Sequence, residues 1–291
     1  YMSFSQLTGD DFVVSSDSIT AGLWTTSQVP TITTFFTSST QAAGSSGNFY
    51  LNVFSNAATS SLEFAVNYGN QVGSGSTAYN LDVDGKSPSS TIYGQYQILT
   101  LGDENAQFTF GGVTSSDFWA ISVERSRYKE SLLPGSTALL LSGSAGIISL
   151  TDNSQVATSV VFNDAGRVFQ LVSGSSGTVV DTTSIGGNTN GYSANSGSYG
   201  WFLPDIATYI LNPRALSNDF ADGGIGLDAT TTSASVAGHP NPNLIYTAVS
   251  GGLSFTANSQ ETISSDYVFV RPRSSEYNYS SNPSFISGST G

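Results

Sequence analysis

Residues 62–76 read LEFAVNYGNQVGSGS, an alternating run that breaks into a glycine-serine loop. Leu62, Phe64, Val66 and Tyr68 fall on one side of an extended chain, and Glu63, Ala65 and Asn67 on the other. A period of two marks a half-buried strand. The loop that follows, Gly73-Ser74-Gly75-Ser76-Thr77-Ala78, lacks the lysine of a P-loop and the third glycine of a dinucleotide-binding turn. The chain then continues through Tyr79-Asn80-Leu81, which reads as extended, where either motif needs a helix. The loop is a connector, and no cofactor is expected.

The same pattern spreads outward from this strand. Phe49, Leu51 and Val53 alternate with Tyr50, Asn52 and Phe54. TIYGQYQILTL (91–101), AQFTF (106–110), DFWAISVE (117–124), TALLLSG (137–143), GIISLTD (146–152), ATSVVFN (157–163) and RVFQLVSG (167–174) read as further strands. Gly111-Gly112, Pro134-Gly135, Asn163-Asp164-Ala165-Gly166 and Gly174-Ser175-Ser176-Gly177 supply the turns. Many short strands at this spacing predict an all-β fold, an antiparallel sandwich or barrel-like meander. Little helix is expected: a turn or two in RSRYKESLL (125–133), and another where Asn212 precedes Pro213-Arg214-Ala215-Leu216. DIATYIL (205–211) reads as a strand from its β-branched and aromatic content.

Residues 173–200 and 221–240, rich in Gly, Ser, Asn and Thr, are expected to be long loops. The predicted organisation is an N-terminal arm (1–30), an all-β domain (31–270) and a C-terminal arm (271–291). A division of the domain into two lobes near 112–150 is the alternative.

The 291 residues include no cysteine, which excludes disulfides and thiolate metal sites. Only 10% of residues are charged, and the net charge is −13. So acidic a chain is expected to bind neither nucleic acid nor an anionic membrane, since both require a basic footprint. Asp82-Val83-Asp84-Gly85 begins like a calcium loop, but Lys86 stands where a third oxygen ligand is needed. Asp10-Asp11 and Asp103-Glu104 read as turn or cap residues. His239, the only histidine, lies between Gly238 and Pro240 and reads as a loop residue. No catalytic residue and no metal ligand is assigned, and the chain is not expected to be an enzyme.

Five of the eight basic residues fall in two groups, Arg125, Arg127 and Lys129, then Arg271 and Arg273. On an acidic chain they suggest contact with an acidic neighbour, such as another copy. Pairing within the chain with Glu124, Glu130 or Glu276 is the equal alternative. The C-terminal arm also carries Tyr277 and Tyr279, aromatic side chains that need another surface to cover them. These seven residues are the candidate interface set.

Several blocks together carry a resemblance: SLEFAVNYGNQVGSGS, SPSSTIYGQYQILTLGDENAQFTFGG, DFWAISVERSRYKESLLPGS, YGWFLPDIATYILNPRAL and VFVRPRSSEYNYSSNPSF. The chain resembles, along most of its length, a family of virion structural proteins of contractile-tailed bacteriophages, of the T-even-like type infecting cyanobacteria. The resemblance implies a non-enzymatic part of the particle, in the tail or baseplate. Its partners would be other copies and neighbouring virion proteins, with no small-molecule ligand. The rival reading is a receptor- or glycan-binding module in which Trp24, Trp119 or Trp201 stacks on sugars. A polysaccharide-degrading enzyme would need a pair of carboxylates in a groove.

Overall fold

In the computed structural model, residues 12–23, 36–38, 50–54, 62–73, 87–180, 197–227, 242–250 and 255–269 are described. The first strands are β1 (Phe12–Gly22), β2 (Phe36–Ser38), β3 (Tyr50–Phe54) and β4 (Leu62–Asn70), followed by helix α1 (Pro88–Leu101). Next come β5 (Phe108–Phe110), β6 (Val113–Ser115), β7 (Asp117–Val123), β8 (Ser131–Leu132), β9 (Ala138–Ser142) and β10 (Ile147–Asp152). Then follow β11 (Val161–Asn163), β12 (Gly166–Ser175), β13 (Thr178–Val179), β14 (Gly200–Leu203) and β15 (Thr208–Leu211). Helices α2 (Pro213–Ser217) and α3 (Pro242–Ser250) precede β16 (Phe255–Thr256) and β17 (Asn258–Val268).

The fold is all-β. A twelve-stranded antiparallel sheet runs in the order β16-β9-β10-β12-β14-β15-β7-β4-β3-β2 and curls into a half-barrel, with β11 and β13 paired to β12. The opening run is the strand expected: Phe64, Val66 and Tyr68 are buried in register with Val123, Ile121 and Trp119 of β7. The predicted turns also form. Gly111-Gly112 closes the β5–β6 hairpin, and Asp164-Ala165 links the paired Asn163 and Gly166.

The centre of the sheet is buried on both faces, so apolar runs there are continuous. Along β7, Trp119, Ile121 and Val123 join one core cluster while Phe118 and Ala120 join another. All four residues of β14 and all four of β15 are buried. The first cluster packs Phe202, Tyr209 and Leu211 with Leu139, Leu141, Ala215 and Leu216, and Ile245 of α3 closes over it. On the other face Ile92 and Tyr93 of α1 and Phe108 and Phe110 of β5 cover Phe118, Trp201, Leu203 and Ile210. Rings meet there at 4.8 Å (Phe108 and Phe118) and 5.6 Å (Phe108 and Trp201), within the range of favourable aromatic pairs.

The strand predicted over 91–101 is instead helix α1. Ser87 caps it, with the reciprocal Ser87–Ser90 hydrogen bonds of a capping box, Pro88 opens its first turn, and Gly102 ends it at φ +66°. Its buried residues, Ser89, Ile92, Tyr93, Gln97 and Thr100, recur at three- and four-residue steps. Packing against Phe118 and the end caps outweigh the modest preference of Thr91, Ile92 and Tyr93 for strands.

Three further segments are shorter or later than expected. In 205–211 only Thr208–Leu211 is strand, because Pro204–Ile206 forms a 3-10 turn. Of 157–163 only Val161–Asn163 is strand, and Arg125–Arg127 makes one 3-10 turn before β8. The expected cap at Asn212 forms, its side chain accepting from the Arg214 amide. Residues 173–180 are a hairpin and not the start of a loop, β12 pairing with β13 around Ser176-Gly177.

Contacts divide the chain into two units, Thr20–Glu261 and a second formed by Tyr1–Ile19 with Thr262–Gly291. In the second unit the described residues are 12–19 of β1, 262–268 of β17 and Phe269; β1 and β17 are hydrogen-bonded neighbours in a three-stranded sheet of order β1-β17-β8. Residues 12–22 of the expected N-terminal arm are therefore strand. The C-terminal arm, 271–291, lies outside the described residues, as do 181–196 and 228–240 of the expected loops.

Candidate functional site

The basic group at 125–129 is not a uniform patch. Chain reversal after β7 carries Arg127 back over β4, where its Nε donates to the Leu62 carbonyl at 3.0 Å and lies 3.0 Å from Glu63 Oε2. Both side chains are buried, at 7% and 1% exposure, so this pair sits inside the chain. Glu63, read as a solvent-face residue of β4, is therefore a core residue. Arg125 folds over the Tyr128 ring at 4.7 Å and donates to the Tyr128 carbonyl at 2.9 Å, a cation–π contact at an exposed site. Burial pushes the Tyr128 hydroxyl pKa up, and the Arg125 charge opposes that rise. Lys129 is exposed, with its amide donating to Ser259 Oγ at 2.9 Å. Arg271, Arg273, Tyr277 and Tyr279 lie outside the described residues, so the structure brings the two basic groups neither together nor apart.

A buried polar network lies at the other end of the β4–β7 pair. Tyr68 donates to Asp117 at 2.9 Å, and Asn70 donates to the Tyr68 hydroxyl at 3.3 Å. Ser115 Oγ donates to Asp117 at 3.3 Å. Burial raises the Asp117 pKa above the usual carboxylate range, against the hydrogen bonds from Tyr68 and Ser115 and the charge of Arg214. Burial also raises the Tyr68 pKa, and the Asp117 charge adds to it. Tyr68 therefore stays a hydroxyl donor, and the network holds β4 to β7.

Three other acids have local structural work. Asp205 receives Arg167 at 2.6 and 3.0 Å and the Arg167 amide at 2.7 Å, pinning the 204–206 turn to β12. Burial alone would raise the Asp205 pKa, but the hydrogen bonds and charge of Arg167 hold it below the usual range. Asp152, fully buried, accepts from the Gly135 and Ser154 amides and so locks the Pro134-Gly135 turn. Asp103 accepts from the Asn105 amide at 2.8 Å, as a turn residue does. Trp119 and Trp201 are 0% and 8% exposed, so neither offers a face to a sugar. Trp24, Asp10, Asp11, Asp82, Asp84 and His239 lie outside the described residues. Among the described residues no group of three or more His, Asp and Glu could hold a metal ion.

Two surfaces expose apolar side chains, and neither belongs to the candidate interface set. The first is the β1–β17 ribbon of the second unit. Val13, Val14 and Ile19 on β1 are 47–58% exposed, and Tyr267, Val268 and Phe269 are 48–62% exposed. β8 pairs only with Ser259 and Gln260 of β17, so beyond them β1 and β17 run as two strands, and a two-stranded stretch is at best marginally stable in water without a surface to cover it.

The second is a cleft where the large sheet splits. β10 pairs with β9 from Ile147 to Leu150, but with β12 only from Leu150 to Asp152. Beyond that point β12 turns away, and its Gly174 and Ser175 pair with β13. Among the described residues, Ile147–Ser149 therefore have no sheet partner on the β12 side. The gap is a cavity of about 250 Å³ lined by Ile147, Ile148, Ser149, Gly174, Thr178 and Val180. Its floor admits no side chain at Gly174, where φ is +152° and a Cβ would meet the Thr178 carbonyl oxygen at 2.1 Å. Ile147 and Val180 stand exposed beside it, at 53% and 49%. The Gly174–Gly177 turn was legible in sequence, but the β12–β13 pairing was not, and the split depends on the register of β10 against β12.

No protein-family model, no curated protein and no solved structure matches this chain.

Proposed function

We propose that this chain is a structural subunit of a bacteriophage virion, in the tail or baseplate, that works through contacts with other copies and with neighbouring virion proteins. The observation that carries the reading is the β1–β17 ribbon. Its exposed Val, Ile, Tyr and Phe side chains and its β1 edge, open among the described residues, suit a surface covered on assembly. The ordered sequence blocks that resemble virion structural proteins support the same reading. The carboxylates Asp117, Asp152 and Asp205 are each tied to named structural partners, which favours a non-enzymatic role. Burial of Trp119 and Trp201 weighs against the glycan-binding alternative.

Imaging of purified virions with assignment of the density to this chain tests the proposal. The expected result is a ring of ordered copies whose ribbons lie on neighbours. Density confined to a distal tip, or none in the particle, would overturn it.

A further inference from the structure

We propose that the cleft between β10 and β13 accepts a strand from a second copy of this chain, the stretch Ser274–Ser281 of its C-terminal segment. The inference rests on the assembly reading above and names the contact.

The cleft selects for extended peptide. One wall is the edge of β10 at Ile147–Ser149, unpaired among the described residues, a place for strand addition to a sheet edge. The lining is apolar with a glycine floor, so the incoming side chains must be few and largely apolar. At about 250 Å³ the cavity is smaller than the roughly 300–1,000 Å³ of small-molecule sites. One aromatic side chain on an added strand fits this description better than a free ligand.

The chain carries a segment with aromatic side chains at strand spacing among small polar residues. Beyond the last described strand residue, Val268, and Phe269 lie 22 further residues, 270–291. Extended at about 3.3 Å per residue, a segment of that length can reach well across to a neighbouring subunit. Between Pro272 and Pro283 it reads RSSEYNYSSN, whose two-residue spacing would put Tyr277 and Tyr279 on the same side of an added strand.

Charge is complementary as well. Arg271 and Arg273 against Glu276 give residues 270–291 a net +1, which leaves −14 on the rest of the chain. At the β9–β10 end of the cleft the Phe220 ring lies against Gly146, and Asp219 and Asp222 on either side of Phe220 are exposed. Those two aspartates are the acidic partners for Arg271 and Arg273.

Disulfide trapping tests this cleanly, because the chain has no cysteine. Full-length Ser149→Cys and Tyr277→Cys chains are mixed and oxidised, with Asp103→Cys replacing Ser149→Cys as control and circular dichroism confirming that each variant folds. A linked 149–277 dimer at tenfold or more over control is expected, since a disulfide needs Cα atoms within about 7 Å. Adding Arg271→Glu and Arg273→Glu to the Tyr277→Cys chain should cut that yield severalfold, and Asp219→Lys with Asp222→Lys in the Ser149→Cys chain should restore it. Linking no better than control overturns the inference, as does a Ser149→Cys/Tyr277→Cys double variant that closes only within single chains. Sedimentation of the unaltered chain separates the two claims: oligomers without the 149–277 link leave the assembly reading standing and remove only this contact.

Discussion

Arg127 Nε lies 3.0 Å from Glu63 Oε2 across the start of β4, and the two side chains are 7% and 1% exposed. Removing one partner of such a pair strands the other charge in the core, which costs about 3–5 kcal/mol. Arg127→Met is therefore expected to lower the urea midpoint sharply. Adding Glu63→Leu should recover most of the loss, because an apolar pair of similar volume needs no desolvation of charge. A double variant as unstable as the single one would show that Glu63 is not what Arg127 neutralises.

Helix α1 gives a second test, with opposite signs at two positions. Gly94 lies mid-helix with nothing within 4 Å of an added Cβ, so Gly94→Ala should stabilise by about 1 kcal/mol. Ser87 caps the helix and also donates to the Gly73 carbonyl at 2.8 Å, so Ser87→Ala should destabilise by about 1 kcal/mol or more. Thermal unfolding of both variants reads the result.

The two shifted carboxylates pull stability in opposite directions with pH. The Asp205 pKa is depressed on folding, so its contribution is present above the unfolded value near 4 and is lost as pH falls through the folded value. The Asp117 pKa is raised on folding, so folding favours its protonated form, and the group counts against stability as pH rises through that raised value. Asp205→Asn should shallow the acid loss of stability below pH 4. Asp117→Asn should leave that loss in place and raise stability at pH 7 relative to the parent. Denaturant midpoints between pH 3 and pH 8 check both signs.

Glycine substitutions separate crowding from backbone strain. At Gly174 an added Cβ meets the Thr178 carbonyl oxygen at 2.1 Å and Thr151 Cγ2 at 2.8 Å, whereas at Gly112, φ +86°, nothing lies within 4 Å. Gly112→Ala should cost about 1–2 kcal/mol, the left-handed backbone cost alone. Gly174→Ala should cost clearly more and should loosen the β12–β13 hairpin, seen as faster amide exchange at Val180, whose N–H bonds the Ser173 carbonyl at 2.9 Å.

Strand identity was legible wherever the pattern was local. The alternation of Leu62 to Tyr68 and the turns at Gly111-Gly112 and Asn163–Gly166 sit where they were read, because period and turn sterics act within a few residues. Residues 91–101 were misread because Thr91, Ile92 and Tyr93 favour strands, while the stronger signal lay at the ends, in Ser87-Pro88 and Gly102. The five basic members of the candidate interface set were drawn from charge alone, and charge does not report burial. Arg127 looked like its neighbours Arg125 and Lys129, yet only Arg127 reaches the core.

From the residues themselves came the all-β class, the hairpin turns and the cap at Asn212, all set by backbone sterics and a period of two over short spans. Sheet order was a matter for the tertiary structure. Placing β4 beside β7 brought Glu63 under Arg127 and Tyr68 onto Asp117. Ending the β10–β12 register at Leu150 opened the cleft. Such pairings join residues dozens of positions apart, and they are decided by which buried faces fit together and not by any short stretch of chain.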